Sequence, residues 1–457
     1  MSPASSRRLY TLGWYLALPL VAGYLLIRSL RQRQYRRFWA ERFLGRGPLP
    51  VATPGRGDGP TIWIHAVSVG ETRAAQPLID RLAREHPGAR FVLTHMTPTG
   101  REAAGPILSA WGGRVVQRYL PYDMPGPVRR FLSEVRPTVG VLMETEIWPN
   151  LQAQARRAGV PMLLASARLS ERSLRRALRW QSLMRPAAGG LAAIAAQTPV
   201  DRDRWARLYD GPIQVTGNLK FDAQPSAGQL EAGRGLRARL QGRPVWLFAS
   251  TREGEERLIV EALLQTASAF AAGPGTNPGN AANVASPPIT LFVPRHPQRF
   301  EQVLRLLGRL GRPVLRRAQF DLLSAQSEVL LGDSMGEMPM YYAMADLAFI
   351  GGSLLPLGGQ NLIEACACGC PVVFGSHMFN FPQAADDALR AGAALQVADA
   401  RAAIEALGAL QADPARRAAM AAAALEFART HCGAAERTAA LIAQIAGLAP
   451  VSGSAGR

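Results

Sequence analysis

One rhythm governs this sequence: short apolar runs of strand length alternate with longer amphipathic stretches, and the series starts twice. The first series runs through TIWIHAV (61–67), RFVLTHM (90–96), VVQRYLP (115–121), TVGVLME (138–144), VPMLLAS (160–166), GLAAIAA (190–196) and IQVTG (213–217). The second runs through PVWLFAS (244–250), TLFVPRH (290–296), EVLLGDS (328–334), LAFIGGS (347–353) and PVVFGS (371–376). A strand covered on both faces reads as a continuous apolar run, and a helix returns the chain to lay a parallel neighbour, so this alternation predicts an α/β fold. Two series predict two Rossmann-like domains facing a cleft, with ligand loops at the carboxyl ends of the strands. The boundaries read as a first domain at 38–222, a linker at 223–243 and a second domain at 244–457, and 457 residues suit two domains of ordinary size.

Ahead of the first series, residues 9–27 carry no charge over 19 positions. A helix there is about 28 Å long, close to the hydrocarbon thickness of a bilayer. Tyr10, Trp14, Tyr15 and Tyr24 suit interfacial depths. The run is long for a cleaved signal, and RSLRQRQYRR follows it in place of small residues. Segment 1–37 therefore reads as a single-pass membrane anchor with a basic flank. Arg7 and Arg8 precede it, while Arg28, Arg31, Arg33, Arg36 and Arg37 follow, which keeps the body of the chain on the cytoplasmic side. Gly13, Pro19 and Gly23 weaken a full span and leave a shallow interfacial helix as the second reading.

The net charge of +18 sits in the first half: residues 1–240 hold 35 Lys+Arg against 16 Asp+Glu, and the remainder 17 against 18. A basic first half suits nucleic acid, anionic lipid or a phosphorylated substrate. No nucleic-acid-binding motif appears, which disfavours the first. Lys220 is the only lysine among 52 basic residues, a ratio an arginine-rich coding bias explains. The four cysteines give no disulfide framework, and Cys366, Cys368 and Cys370 are spaced C-x-C-x-C, not the C-x-x-C of structural zinc, so they read as small buried thiols. Residues 273–288 are low-complexity and uncharged and read as a surface insertion; 401–448 reads as Ala-rich helix.

Chemistry is expected where strands end. Glu71 closes the SVGE turn and opens a helix, where a carboxylate either caps or acts as a base; Gly70 beside it allows close approach of a substrate. METEIWPN (143–150) places Glu144 and Glu146 at another strand end, pointing the same way if the chain is extended, with pairing to a cation the simpler role for at least one. GGSLLPLGGQNLIEA (351–365) is a glycine-rich loop opening into a helix, a pattern that presents backbone N–H groups to phosphate, with Asn361 in the first turn and Glu364 placed for a ribose hydroxyl. It is neither a Walker loop nor a G-x-G-x-x-G fingerprint. VPRHP (293–297) offers Arg295 to a phosphate, and GDSMGEM (332–338) a tight turn with Glu337 at a helix start.

HAVSVGE, THMTPTG, YLPYD, METEIWPN, ARLSERS, GNLKFD, TREGEE, FVPRHP, GDSMGEM, FIGGSLLPLGGQN and FNFPQA follow one another in this order. Together they resemble the 3-deoxy-D-manno-octulosonic acid (Kdo) transferases of lipopolysaccharide synthesis, over nearly the whole chain. The resemblance implies a GT-B fold, an acceptor-binding first domain and a CMP-sugar-binding second domain. It implies an inverting transfer of Kdo from CMP-Kdo to a phosphorylated lipid A precursor (lipid IVA) at the cell inner membrane, without metal or cofactor. By motif, Glu71 becomes the general base, and Glu144 and Lys220 give transition-state or structural support. Donor contacts fall on Pro294, Arg295, Met335, Gly336, Glu337, Asn361, Leu362, Ile363 and Glu364. Arg252 stands where the family has a histidine, and LLPLGGQN lacks the acid–base pair some members carry before the glycines. The expected partners are the donor, the lipid acceptor and anionic membrane lipids. Two other readings share parts of the pattern: a nucleotide-sugar epimerase of the same architecture, and a non-catalytic scaffold binding anionic lipid.

Overall fold

The structure is a computed structural model and describes residues 2–49, 59–222, 225–271 and 287–448. The low-complexity insertion expected at 273–288 lies, up to residue 286, outside the described residues. The chain forms two compact units, Met1–Ala223 together with His431–Arg457, and Gln224–Thr430.

The first unit holds seven parallel strands: β1 Thr61–His65, β2 Arg90–His95, β3 Val115–Tyr119, β4 Val139–Met143, β5 Met162–Ala167, β6 Ala193–Ala196 and β7 Ile213–Val215. Their order is β3-β2-β1-β4-β5-β6-β7. β1, β4 and β5 are buried at every residue, the mark of strands covered on both faces. The order reverses direction between β1 and β4, so the loops after these two strands diverge and leave a crevice at the carboxyl edge.

The second unit repeats the plan with β8 Val245–Thr251, β9 Ile289–Pro294, β10 Val314–Arg316, β11 Val329–Leu331, β12 Leu347–Ile350, β13 Val372–Phe374 and β14 Ala394–Gln396. The order is β10-β11-β9-β8-β12-β13-β14, with the switch between β8 and β12. All twelve strands expected from the sequence are present. β10 and β14 were not expected; each is a three-residue outer strand without an apolar run.

The domain boundaries need two corrections. The expected linker at 223–243 contains the helix Ala227–Ala238, which belongs to the second unit: a Cβ at Gly233 would lie 2.3 Å from the Met340 carbonyl oxygen. The expected second domain also loses its end. The helix Ala434–Ala446 returns to the first unit, where Ala434, Ala435, Ala439, Leu441 and Ile442 join the core that includes Leu78 and Leu82. Asp222 accepts the Ala435 N–H there. Apolar periodicity shows that a helix buries a face, not which core receives it.

The N-terminal apolar run forms the helix Pro3–Arg31, capped by Ser2. It is a candidate membrane anchor by length and composition. One stripe of it, Trp14, Leu18, Val21 and Leu25, packs in a cluster with Tyr35, Tyr122 and Met124. Closer to its start Ser6 bonds Ser182 (2.9 Å) and Thr11 Oγ1 donates to Asn150 Oδ1 (3.1 Å). The opposite face, with Leu9, Leu12, Leu16, Leu20 and Ile27, is exposed.

Candidate active site

The loop after β1 builds its own carboxylate cradle. Ser68 caps the helix Val69–Glu85 and receives the Glu71 N–H. The Glu71 carboxylate answers by accepting the Ser68 hydroxyl on Oε1 (2.9 Å) and the Val67 N–H on Oε2 (2.9 Å), a variant of the capping box. Capping does not leave it an ordinary surface acid. Burial pushes the Glu71 carboxyl up to about 7, against the pull of those two hydrogen bonds, and the charges of Glu144 and Glu146 push it further. A carboxylate that titrates near neutrality is matched to taking a proton from a hydroxyl. Beside it, Gly70 has a free approach: a Cβ there would meet only Ser68 Oγ, at 3.9 Å.

Across the switch point, the loop after β4 supplies Glu144 and Glu146. The i, i+2 spacing does not send them the same way, because Glu144 takes a left-handed backbone, φ +56°, and breaks the extended chain. Glu144 Oε1 lies 2.6 Å from Lys220 Nζ, so the acid is paired by the one lysine and not by an arginine. Glu146 Oε2 accepts the Trp148 indole N–H (2.6 Å), and burial raises its pKa. Trp148 stands edge-on to His65, which lies at the base of the crevice and is held neutral by burial, its pKa lowered to about 3.

Lys220 is held by a network that no motif in the sequence marks. It sits in the turn Leu219–Phe221, where its N–H is received by Asn218 Oδ1 (3.0 Å). Asn218 Nδ2 donates to Gln197 Oε1 (3.2 Å), and Gln197 Nε2 to the Ser166 carbonyl (2.8 Å). Ser166, like Glu144, has a positive φ, +50°. Non-glycine residues in this conformation at strand ends store strain where geometry matters. Such a residue has no period in the sequence and gives no signal there.

In the second unit the loops after β8, β9, β11 and β12 carry the remaining expected residues. Glu255 occupies the same place after β8 that Glu71 occupies after β1, but its fate differs. Its carboxylate accepts three backbone N–H groups, from Arg252 (2.9 Å), Gly352 (2.6 Å) and Leu354 (3.0 Å). It is a fastener for the glycine-rich loop and was not singled out from the sequence. Glu256, also buried, grips Arg299 through two 2.8 Å bonds.

That loop does not present all its N–H groups. Gly352 and Leu354 are bound by Glu255, and the Gly359 N–H by the Gly352 carbonyl (2.7 Å). Gly358 and Gly359 have positive φ, and a Cβ on either would collide with Asn380 or Met378, which explains both glycines by packing. The helix expected to open at 360 is the short Ile363–Ala367, and Asn361 Oδ1 receives the Ile363 N–H (3.0 Å). Leu362 and Ile363 side chains are in the core, which leaves only main chain at those positions for a ligand. Glu364 is half-buried.

Pro294 ends β9 with its side chain buried, and the Arg295 N–H is received by the Thr251 carbonyl (3.0 Å), which brings the arginine to the end of β8. Glu337 is engaged by Arg317 through 2.9 and 2.8 Å bonds and by Ser334, and the arginine holds its carboxyl below the usual range. Met335 and Gly336 are exposed on the turn it braces, with open space at Gly336. Cys366 and Cys370 are buried, with burial pushing the Cys366 thiol up to about 12, as unreactive core thiols should be.

A family model described as 3-deoxy-D-manno-octulosonic-acid transferase (kdotransferase) matches residues 37–223, and one described as glycosyl transferases group 1 matches 302–427. The 3-deoxy-D-manno-octulosonic acid transferase of Bordetella pertussis is 44% identical over 94% of this chain and 97% of its own. Among solved structures, a glycosyltransferase from Rickettsia africae ESF-5 superposes with a TM-score of 0.57 at 11% identity, covering 86% of this chain and all (100%) of that one. UDP-GlcNAc 2-epimerase from Neisseria meningitidis does so with a TM-score of 0.56 at 16% identity, covering 84% and 100%. The likeness to these two shows the GT-B-like fold alone, and the fold does not choose between transfer and epimerisation.

Proposed function

Because the chain belongs to the 3-deoxy-D-manno-octulosonic acid (Kdo) transferase family, we propose that it moves Kdo from CMP-Kdo to lipid IVA, a phosphorylated lipid A precursor, with inversion at the anomeric carbon. The observation that carries the reading is Glu71: a carboxyl raised to about 7, at the switch point of the first sheet, beside a glycine with open space. Ionised, it removes the proton from an acceptor hydroxyl as that oxygen attacks the anomeric carbon of Kdo. The bond from that carbon to the CMP phosphate oxygen breaks, and CMP leaves as a phosphate monoester. Arg295 offsets the charge that develops on it. The Lys220–Glu144 pair holds the crevice wall beside Glu71 and offers the ammonium to the Kdo carboxylate. Donor contacts are assigned to Pro294, Arg295, the 335–337 turn and the 361–364 segment. The reading gives no step to a metal or a cofactor.

The apolar N-terminal helix supports a membrane location. Its contacts with the body run from Ser6 to Leu25, about 28 Å of helix axis. A helix accompanied by its own domain over that length fits better lying in the membrane interface, with the Leu12–Leu16–Leu20 face in lipid, than spanning the bilayer. The arginines that flank it, Arg7, Arg8 and Arg28 through Arg37, suit anionic headgroups, and this reading puts the helix on the cytoplasmic face of the inner membrane. Incubating the purified chain with labelled CMP-Kdo and lipid IVA tests the proposal: labelled Kdo on the lipid supports it, and CMP-Kdo left intact overturns it.

A further inference from the structure

The first unit contains an open cavity of about 1120 Å³ that no step above uses. One wall is the N-terminal helix, through Gly13, Trp14 and Ala17; the others include Leu183, Trp205 and, from the loop after β4, Ile147. The volume exceeds the roughly 300–1,000 Å³ of common small-molecule pockets, and the walls are mainly aliphatic and aromatic. Two features give it a direction. Thr145 and Ile147, which line it, bracket Glu146, whose charge acts on Glu71, so a single loop borders both the cavity and the carboxylate crevice. At its edge stands the helix Glu171–Arg179, with Arg172, Arg175, Arg176 and Arg179 exposed and without an ion-pair partner among the described residues. Its single acid, Glu171, faces Arg204 and Arg207 instead (3.8 and 3.7 Å). Arg176 and Arg179 line the cavity itself.

We propose that this cavity receives acyl chains of the lipid acceptor while Arg176 and Arg179 hold a phosphate of its headgroup. This deepens the reading above and rests on it. Apolar walls beside unpaired arginines match a molecule that is apolar at one end and anionic at the other. The exposed apolar face of the N-terminal helix gives the chains a route from the membrane. Bulk phospholipid has the same two ends, but the wall shared with the Glu144–Glu146 loop favours the molecule that must reach Glu71.

Gly13 provides the test, because a Cβ built there meets nothing within 4 Å and a large side chain projects without displacing the core. Gly13→Trp should raise the KM for detergent-dispersed lipid IVA at least about tenfold, the loss expected when about two methylenes leave apolar contact. The ratio of kcat/KM for lipid IVA to that for the same disaccharide bisphosphate stripped of its acyl chains should fall to match. Ala17→Trp serves as a second variant, and an unchanged thermal midpoint confirms that each is folded. An unchanged KM, or an equal loss on both acceptors, overturns the proposal. Weakened vesicle binding with an unaltered KM in detergent overturns it in favour of bulk lipid. If the unaltered protein transfers and only the variants show no effect, the cavity assignment alone falls; if the unaltered protein transfers nothing, the parent reading falls with it.

Discussion

Lys220 Nζ lies 2.6 Å from Glu144 Oε1, although the two residues follow strands separated by β5 and β6 in the sheet. The chain after β7 therefore runs back over the carboxyl edge, and the Leu219 N–H reaches Ser166 Oγ (3.4 Å) on the way. The pair is partly open to solvent, with the lysine side chain 33% exposed, so it contributes little to stability, under about 1 kcal/mol.

Lys220→Arg separates the structural use of this pair from a chemical one. It keeps the charge, but a planar guanidinium cannot place a point cation where the ammonium sits. The thermal midpoint should barely move while kcat falls on the order of a hundredfold, the loss an ångström of misplacement can cause. Kinetics equal to the unaltered protein would return Lys220 to the incidental surface charges.

As the base of the proposed transfer, Glu71 should set the pH dependence. With its carboxyl at about 7 in the folded protein, the base is protonated below that pH, so kcat/KM should rise through pH 7 and level above it. Its folded pKa lies above the ordinary value of 4.5, so the folded state holds the extra proton. The stability this contributes is full below pH 4.5 and is lost as pH rises through about 7. Glu71→Gln should cost about 10²–10⁴ in kcat and flatten that slope in thermal midpoint between pH 4.5 and 8. Near-normal turnover in the Gln variant removes Glu71 from the mechanism.

Gly70 distinguishes a substrate path from a folding requirement. Its φ is not in the left-handed region, and its Cβ space is open, so the fold does not demand glycine. Gly70→Ala should leave stability unchanged or raise it by at most about 1 kcal/mol, because alanine is the better helix residue. Acceptor KM should rise. An unaffected KM would place the acceptor hydroxyl elsewhere.

Both sheets were legible in the sequence because a strand buried on two faces leaves a solid apolar run, as TIWIHAV and TVGVLME do. Glu71 was legible because SVGE joins a strand end, a cap and a glycine within four residues. What escaped detection has a physical reason in each case. β10 and β14 are edge strands too short to show a pattern. The helix Ala434–Ala446 buries alanines with Leu441 and Ile442, apolar side chains that suit either core equally. Glu144 looked like half of an aligned pair because a left-handed residue leaves no mark on a sequence, and nothing marked Glu255 because its N–H partners lie up to 99 positions away.

The two faces of the N-terminal helix should answer to different measurements. Leu16 and Leu20 are 71% and 77% exposed and Leu12 is exposed beside them, whereas Trp14 packs against Tyr122 at 5.6 Å between ring centroids. Changing Leu12, Leu16 and Leu20 together to Gln removes only what lipid would cover. Membrane partition should drop roughly a thousandfold, from about 1.5 kcal/mol lost per leucine, with the thermal midpoint in detergent unchanged. Trp14→Ala should do the reverse, lowering the midpoint by opening a gap over Tyr122 while the protein still floats with anionic vesicles. Alkaline carbonate distinguishes the two placements of the helix: a helix in the interface is extracted by it, and a spanning helix stays in the pellet. Retention in the pellet would mean that the contacts from Ser6 to Leu25 give way in the membrane and that the helix crosses it.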